Sequence, residues 1–149
     1  MSLTVSAYKR DPMTGDIADL LVAPTSPRND LAGFETWRQQ VYGSSIAQTL
    51  GLTLLASLAR NEDVYADGAD LDRLKSETDA LLENVRAIAP GGHDRRGDPL
   101  TSAFVLRAGV QLPDAEDLES TIRFRLENIL EAVRLAKNVT DGGGGVYIG

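Results

Sequence analysis

Four aspartates crowd one stretch of this sequence: Asp63, Asp67, Asp70 and Asp72, set around Gly68 in NEDVYADGADLD. Carboxylate oxygens at such spacing are what hard cations take as ligands. A helix–loop–helix calcium loop counted from Asp63 would place Gly68 at its glycine position. The same count puts Tyr65 and Leu74 where the loop needs oxygen ligands, so no metal site is assigned. Helix capping and a turn account for these aspartates, and they also supply an acidic face for a partner.

The other chemistry-bearing residues are sparse. His93 is the single histidine, an acid–base group in principle, but it lies between Gly92 and Asp94 in a polar, glycine-flanked tip. Ser44 and Ser45 follow Gly43 in YGSSI, which lacks the G-x-S-x-G elbow of a serine nucleophile and follows a helical pattern rather than a strand. Ser45 and Gln48 have capping-box spacing instead. Glu127 and Glu131 are one helical turn apart on what reads as a solvent face. The chain has no cysteine, which removes thiolate metal sites, iron–sulfur clusters, disulfides and a catalytic thiol. The terminal run DGGGGVYIG follows a helix and feeds a short strand, the reverse of a phosphate-cradling loop, so it reads as a hinge. No catalytic residue and no cofactor are assigned; the chain reads as leaning away from an enzyme, with only carboxylate, serine or arginine chemistry open to one.

The elements that must carry these residues follow from periodicity. LTVSAYK alternates, with Leu3, Val5 and Ala7 on one side and Thr4, Ser6 and Tyr8 on the other, the pattern of a strand with one buried face. DPMTGD reads as a turn and DIADLLVA as a short helix ended by Pro24 and Pro27. Asn29 or Asp30 is expected to cap a helix carrying Leu31, Phe34, Trp37, Val41 and Tyr42 on one stripe, stopped by Gly43. SSIAQTL reads as a second short helix with Gly51 past its end. Residues 52–59, LTLLASLA, fit either a helix or a buried strand, and DVYADG reads as extended, with a turn at Asp67-Gly68.

Two long amphipathic helices follow. Leu71, Leu74, Thr78, Leu81, Val85 and Ile88 recur in steps of three and four in DLDRLKSETDALLENVRAIA, with Asp70 as a capping residue. Leu118, Ile122, Leu126, Ile129, Val133 and Ala136 do the same further on, with Glu119, Arg123 and Glu127 spaced for surface ion pairs. Between the helices, residues 91–116 read as an insertion or flap. His93, Arg95, Arg96 and Arg107 lie in it, and Phe104, Leu106, Ala108, Val110 and Leu112 alternate as in a strand. If VYI pairs with LTVSAY the two termini meet in one small sheet. The expected fold is α+β: a single helix-rich domain over residues 1–149 with two long helices as its core.

Composition bounds the function. Net charge is −7, with 22 acidic residues against 15 basic, and such a surface repels nucleic-acid backbones and anionic lipid. The longest apolar-rich stretch, LGLTLLASLA, is about half of the ~20 residues a membrane span needs, and the N-terminus has no signal-peptide pattern, so a soluble cytoplasmic protein is expected. The segments FETWRQQVYGS, LGLTLLASLA, VYADGADLDRL and GGGGVYIG resemble small bacterial proteins and are similar in style to immunity-type proteins, small acidic domains that neutralise a toxin by binding it. The resemblance implies a binding role. A protein-interaction domain is therefore expected, with Asp63, Asp67, Asp70, Asp72, Trp37 and Arg38 as partner-binding residues. The alternative is a small-molecule or metal-binding domain with residues 93–112 as its flap. A homodimer is compatible with either, through a free sheet edge or a leftover helix stripe.

Overall fold

The computed structural model describes residues 2–21, 31–88, 115–139 and 143–149. The alternating run at the N-terminus forms β1 (Ser2–Arg10), whose Leu3, Val5 and Ala7 are buried on one face. In chain order there follow β2 (Ile17–Leu21), β3 (Leu31–Phe34), α1 (Trp37–Gln40), α2 (Ser45–Leu50), α3 (Ala56–Ala59), β4 (Val64–Asp67), α4 (Ala69–Glu83), α5 (Val85–Ile88), α6 (Ala115–Lys137) and β5 (Gly144–Ile148). The fold is α+β. As expected, β1 and β5 pair antiparallel and bring the two termini together, with Val5 opposite Ile148 and Lys9 opposite Gly144. On its other edge β5 takes β4, also antiparallel, with Val64 opposite Ile148 and Asp67 opposite Gly145. The strand path is β2-β1-β5-β4, and β3 pairs with the first residues of β1 while β2 pairs with its last ones.

The helices cover one face of this curled sheet. Val5, Val64, Ala66, Val146 and Ile148 meet the stripe of α4 and α5 (Leu71, Leu74, Thr78, Leu81, Val85, Ile88) and that of α6 (Ile122, Leu126, Ile129, Val133, Ala136), and every one of these is buried. Each large apolar side chain taken out of water there contributes about 1.5–3 kcal/mol. Several polar groups inside are tied to backbone. Tyr42 donates its hydroxyl to the Ala32 carbonyl at 2.6 Å and Asn128 its amide to the Leu31 carbonyl at 2.9 Å, which fastens β3 to the helices. The buried Glu77 carboxylate accepts from the backbone amides of Leu54 and Leu55 at 3.2 and 2.9 Å and so pins the turn before α3 to α4. No helix among the described residues is long and apolar enough to cross a membrane.

Several expectations are corrected. Residues 17–21 form a strand rather than a helix, because the turn at 11–16 folds them back onto β1 and ladder bonds outweigh weak local preference. Residues 31–34 are likewise strand, paired with Ser2–Thr4, so the helix expected to run through Leu31 and Phe34 begins at Trp37; its expected caps Asn29 and Asp30 lie outside the described residues. The long helix from residue 69 is interrupted at Asn84, whose side-chain amide bonds the Ala80 carbonyl at 2.8 Å, although Val85 and Ile88 keep their buried places. Its N-cap is Gly68 rather than Asp70, which sits in the first turn. For α2 the cap is Ser44, which accepts from the Ala47 amide, and Gln48 reaches back to the Gly43 carbonyl, one residue earlier than the capping box read from Ser45. Residues 52–59 resolve as a turn followed by α3. Of the expected insertion, residues 91–114 lie outside the described residues and 115–116 open α6.

Candidate functional site

On the sheet face turned away from α4 and α6, side chains stand in rows that cross three strands. One row is Tyr8, Gly145 and Asp67, successive partners on β1, β5 and β4. Tyr8 is fully buried although it lies on the face opposite Leu3, Val5 and Ala7. It crosses the middle strand because residue 145 has no side chain: a Cβ there would overlap the Tyr8 ring. The Tyr8 hydroxyl donates to Asp67 Oδ2 at 2.8 Å, and Arg10 Nε donates to the same oxygen at 2.8 Å, with its guanidinium 5.2 Å from the Tyr8 ring centroid. Burial, then the bond to Asp67, pushes the Tyr8 phenol up to about 12. At Asp67 desolvation opposes the charge, but the bonds from Arg10 and Tyr8 outweigh it and hold the carboxyl below its ordinary value. Neither group exchanges a proton near neutrality, so the trio is a clamp across the sheet rather than an acid–base pair.

Two strand positions away, the row Ser6, Tyr147 and Tyr65 crosses the same three strands. The Tyr65 and Tyr147 rings lie 5.0 Å apart at 49°, and Tyr65 is 52% exposed. The Tyr147 hydroxyl donates to Asp63 Oδ2 at 3.2 Å, and burial followed by this bond raises its phenol above the ordinary value. Asp63 Oδ1 in turn receives Arg38 Nη2 at 3.4 Å. Desolvation works against the Arg38 charge, but Glu35 and Asp63 together raise its pKa. The result is an aromatic step on the edge of the sheet with Asp63 and Asp67 beside it, each paired with a cation: Arg38 nearly buried, Arg10 part-exposed.

The four aspartates read as one acidic group from the sequence are distributed. Asp63 immediately precedes β4 and Asp67 ends it, paired with Arg38 and Arg10. Asp70 is in the first turn of α4, and Asp72 pairs with Lys137 across the helices. Among the described residues no group of three or more such ligands could hold a metal ion. Trp37 and Arg38 require a correction as surface contacts. Trp37 is fully buried in the core, as is Tyr42, and Arg38 is 8% exposed, donating to the backbone carbonyls of Leu58 and Glu62. A partner reaches neither face of the indole. His93, Arg95, Arg96 and Arg107, the expected flap residues, lie outside the described residues. Ser44 is a buried helix cap and Glu131 pairs with Arg134, so neither is left for chemistry. The glycine run also differs from a simple hinge: Gly144 and Gly145 are strand residues, the first pressed against the Ala136 backbone and the second under Tyr8.

Tyr8, Arg10, Tyr65 and Tyr147 had no place among the expected site residues. The signal for them is the pairing itself: once β4 is set beside β5, period two places Tyr65 next to Tyr147 and Asp67 in line with Tyr8. A second feature is a cavity of about 320 Å³ between α4 and α6, with Leu130 and Val133 among its apolar lining and Lys75, Asp79, Arg134 and Lys137 among its charged lining. Comparison with family models, with curated proteins and with solved structures finds no match, so both sites are read from their own chemistry.

Proposed function

We propose that this chain is a protein-binding domain, immunity-like in neutralising a partner by occupying it, and that it binds through the Tyr65–Tyr147 step and the carboxylates around it. The observation that carries the reading is the tyrosine pair at 5.0 Å beside Asp63, with Tyr65 exposed and Tyr147 half-buried, on strands anchored in the core. Rigid, amphipathic tyrosines on a preorganised support give contact area at little entropic cost, which is why such residues dominate interface hot spots. In this reading the protein works in the bacterial cytoplasm, with which a cysteine-free, acidic chain is compatible.

Affinity capture from bacterial lysate tests it, with wild type beside a Tyr65→Ala, Tyr147→Ala double variant. A stoichiometric partner held by wild type and lost by the variant supports the reading; a partner held equally by both contradicts it.

The cavity between α4 and α6 favours a second reading, a site for a small organic anion. Its volume is in the range of ligand pockets, and its three cations, Lys75, Arg134 and Lys137, would exchange their present carboxylate partners Asp79, Glu131 and Asp72 for the anion. Bound at a hundred times its dissociation constant, such a ligand adds about 2.7 kcal/mol of stability. A panel of organic anions that leaves Tm unchanged rejects this reading.

A further inference from the structure

We propose that the partner docks by adding an extended, basic segment to the outer edge of β4, laying a lysine or arginine side chain on the Tyr65–Tyr147 rings. The inference rests on the reading that this face binds protein, and adds the mode and the chemistry.

The mode follows from the hydrogen-bond register. Thr4 and Gly149 exchange both backbone bonds, at 2.9 and 3.1 Å. Antiparallel ladders alternate, so Ser6 with Tyr147 and Tyr8 with Gly145 are the next exchanging pairs toward β1. Val146 and Ile148 therefore turn their backbone groups to β4, where they meet Ala66 and Val64. The N–H and C=O of Tyr65 and Asp67 then point away from β5, off the end of the strand path. Among the described residues they have no hydrogen-bond partner. A row of such groups is a template for an added strand.

Charge selects the occupant. Residues 61–72 carry five carboxylates and no lysine or arginine; Arg60, Arg38, Arg10 and Lys137 from outside this stretch each pair with one of them, and the whole chain remains at −7. A second copy of this chain would set like charges across the new ladder, which destabilises it. A basic segment meets the opposite sign, and its side chain in the Ser6–Tyr147–Tyr65 row falls beside an exposed ring, where a cation is attracted to the π-face. The side chains on either side of that position point the other way, next to Val64 and Ala66, and suit apolar residues. The favoured segment alternates basic and apolar residues.

The test is backbone amide exchange of the full chain, read residue by residue, with a synthetic peptide of alternating lysine and valine. Free protein is expected to exchange fast at Tyr65 and Asp67 and slowly at Val64 and Ala66. Saturating peptide should slow Tyr65 and Asp67 about tenfold or more. A glutamate-for-lysine peptide, or one N-methylated along the bonding edge, should not. Tyr65→Ser should weaken the lysine peptide about threefold through loss of the cation–ring contact. Slow exchange at Tyr65 in the free protein, no slowing at millimolar peptide, or equal binding of the glutamate peptide would overturn the proposal. So would protection that grows with protein concentration alone, which would assign the edge to self-pairing. A captured partner that covers the tyrosine face yet leaves the Tyr65 and Asp67 amides fast overturns strand addition while sparing the protein-binding reading.

Discussion

At the scale of single residues, one missing side chain shapes the sheet. Gly145 lets Tyr8 lie across β5 to reach Asp67, so one aromatic ring ties three strands together. Gly145→Ala forces the ring aside and should cost about 1–3 kcal/mol, as overpacking does, read from denaturant midpoints. Tyr8→Phe keeps the ring but removes its donor, and should cost about 1 kcal/mol. The same contact sets a pH dependence. The folded Tyr8 phenol is raised from 10.0 to about 12, so its contribution is fully present below pH 10 and is lost as pH climbs toward 12. Asp67 has the opposite sign: lowered from 3.8 in the folded state, it contributes above that value and loses its contribution as pH falls through the lower one. In Tyr8→Phe the alkaline loss of stability should shrink without vanishing, because the buried Tyr42 phenol is raised as well. A variant whose alkaline unfolding is identical to wild type would break the assignment. Little of this clamp is legible in the sequence. Tyr8 falls on the polar side of an alternating run, and only the glycine opposite it, distant in sequence, makes room for its burial.

At the scale of elements, long periodic segments were legible and short ones were not. The stripes from Leu71 to Ile88 and from Ile122 to Ala136 are buried as their spacing requires, because an extended amphipathic pattern has a single way to face a core. Residues 17–21 and 31–34 are too short for periodicity to separate strand from helix, and it is β1, a long-range partner, that decides them. The turn DPMTGD between two apolar runs is the hairpin signal that points to β2. Glu77 illustrates another limit: it is a charged residue outside the apolar stripe read for its helix, yet it is buried and caps backbone amides more than twenty positions away. Glu77→Ala leaves those amides unsatisfied and should cost about 1–3 kcal/mol. Leu74→Ala, in the middle of the buried stripe, should cost about 2–5 kcal/mol. Equilibrium unfolding measures both. A Glu77→Ala loss under half a kilocalorie, at the level of ordinary surface changes, would mean that the turn before α3 is held by other contacts.

At the scale of the whole molecule, the helices close one face of the sheet and the other carries the tyrosine step, rimmed by the carboxylates that flank β4. On the proposed reading, a net charge of −7 favours a cationic partner over a phosphate backbone and makes association depend on salt. The acidic residues were visible in the sequence. Their division into two clamped positions flanking the β4 tyrosine, one helix-turn position and one helix-to-helix pair was not, since it depends on how β4, α4 and α6 meet. The measurement that tests the central claim most directly is the amide-exchange footprint of the captured partner on this chain. Protection confined to β4, β5 and the residues around Asp63 is the expected result. Protection centred on Lys75, Arg134 and Lys137 between α4 and α6, with the tyrosine face exchanging as in the free protein, would contradict it.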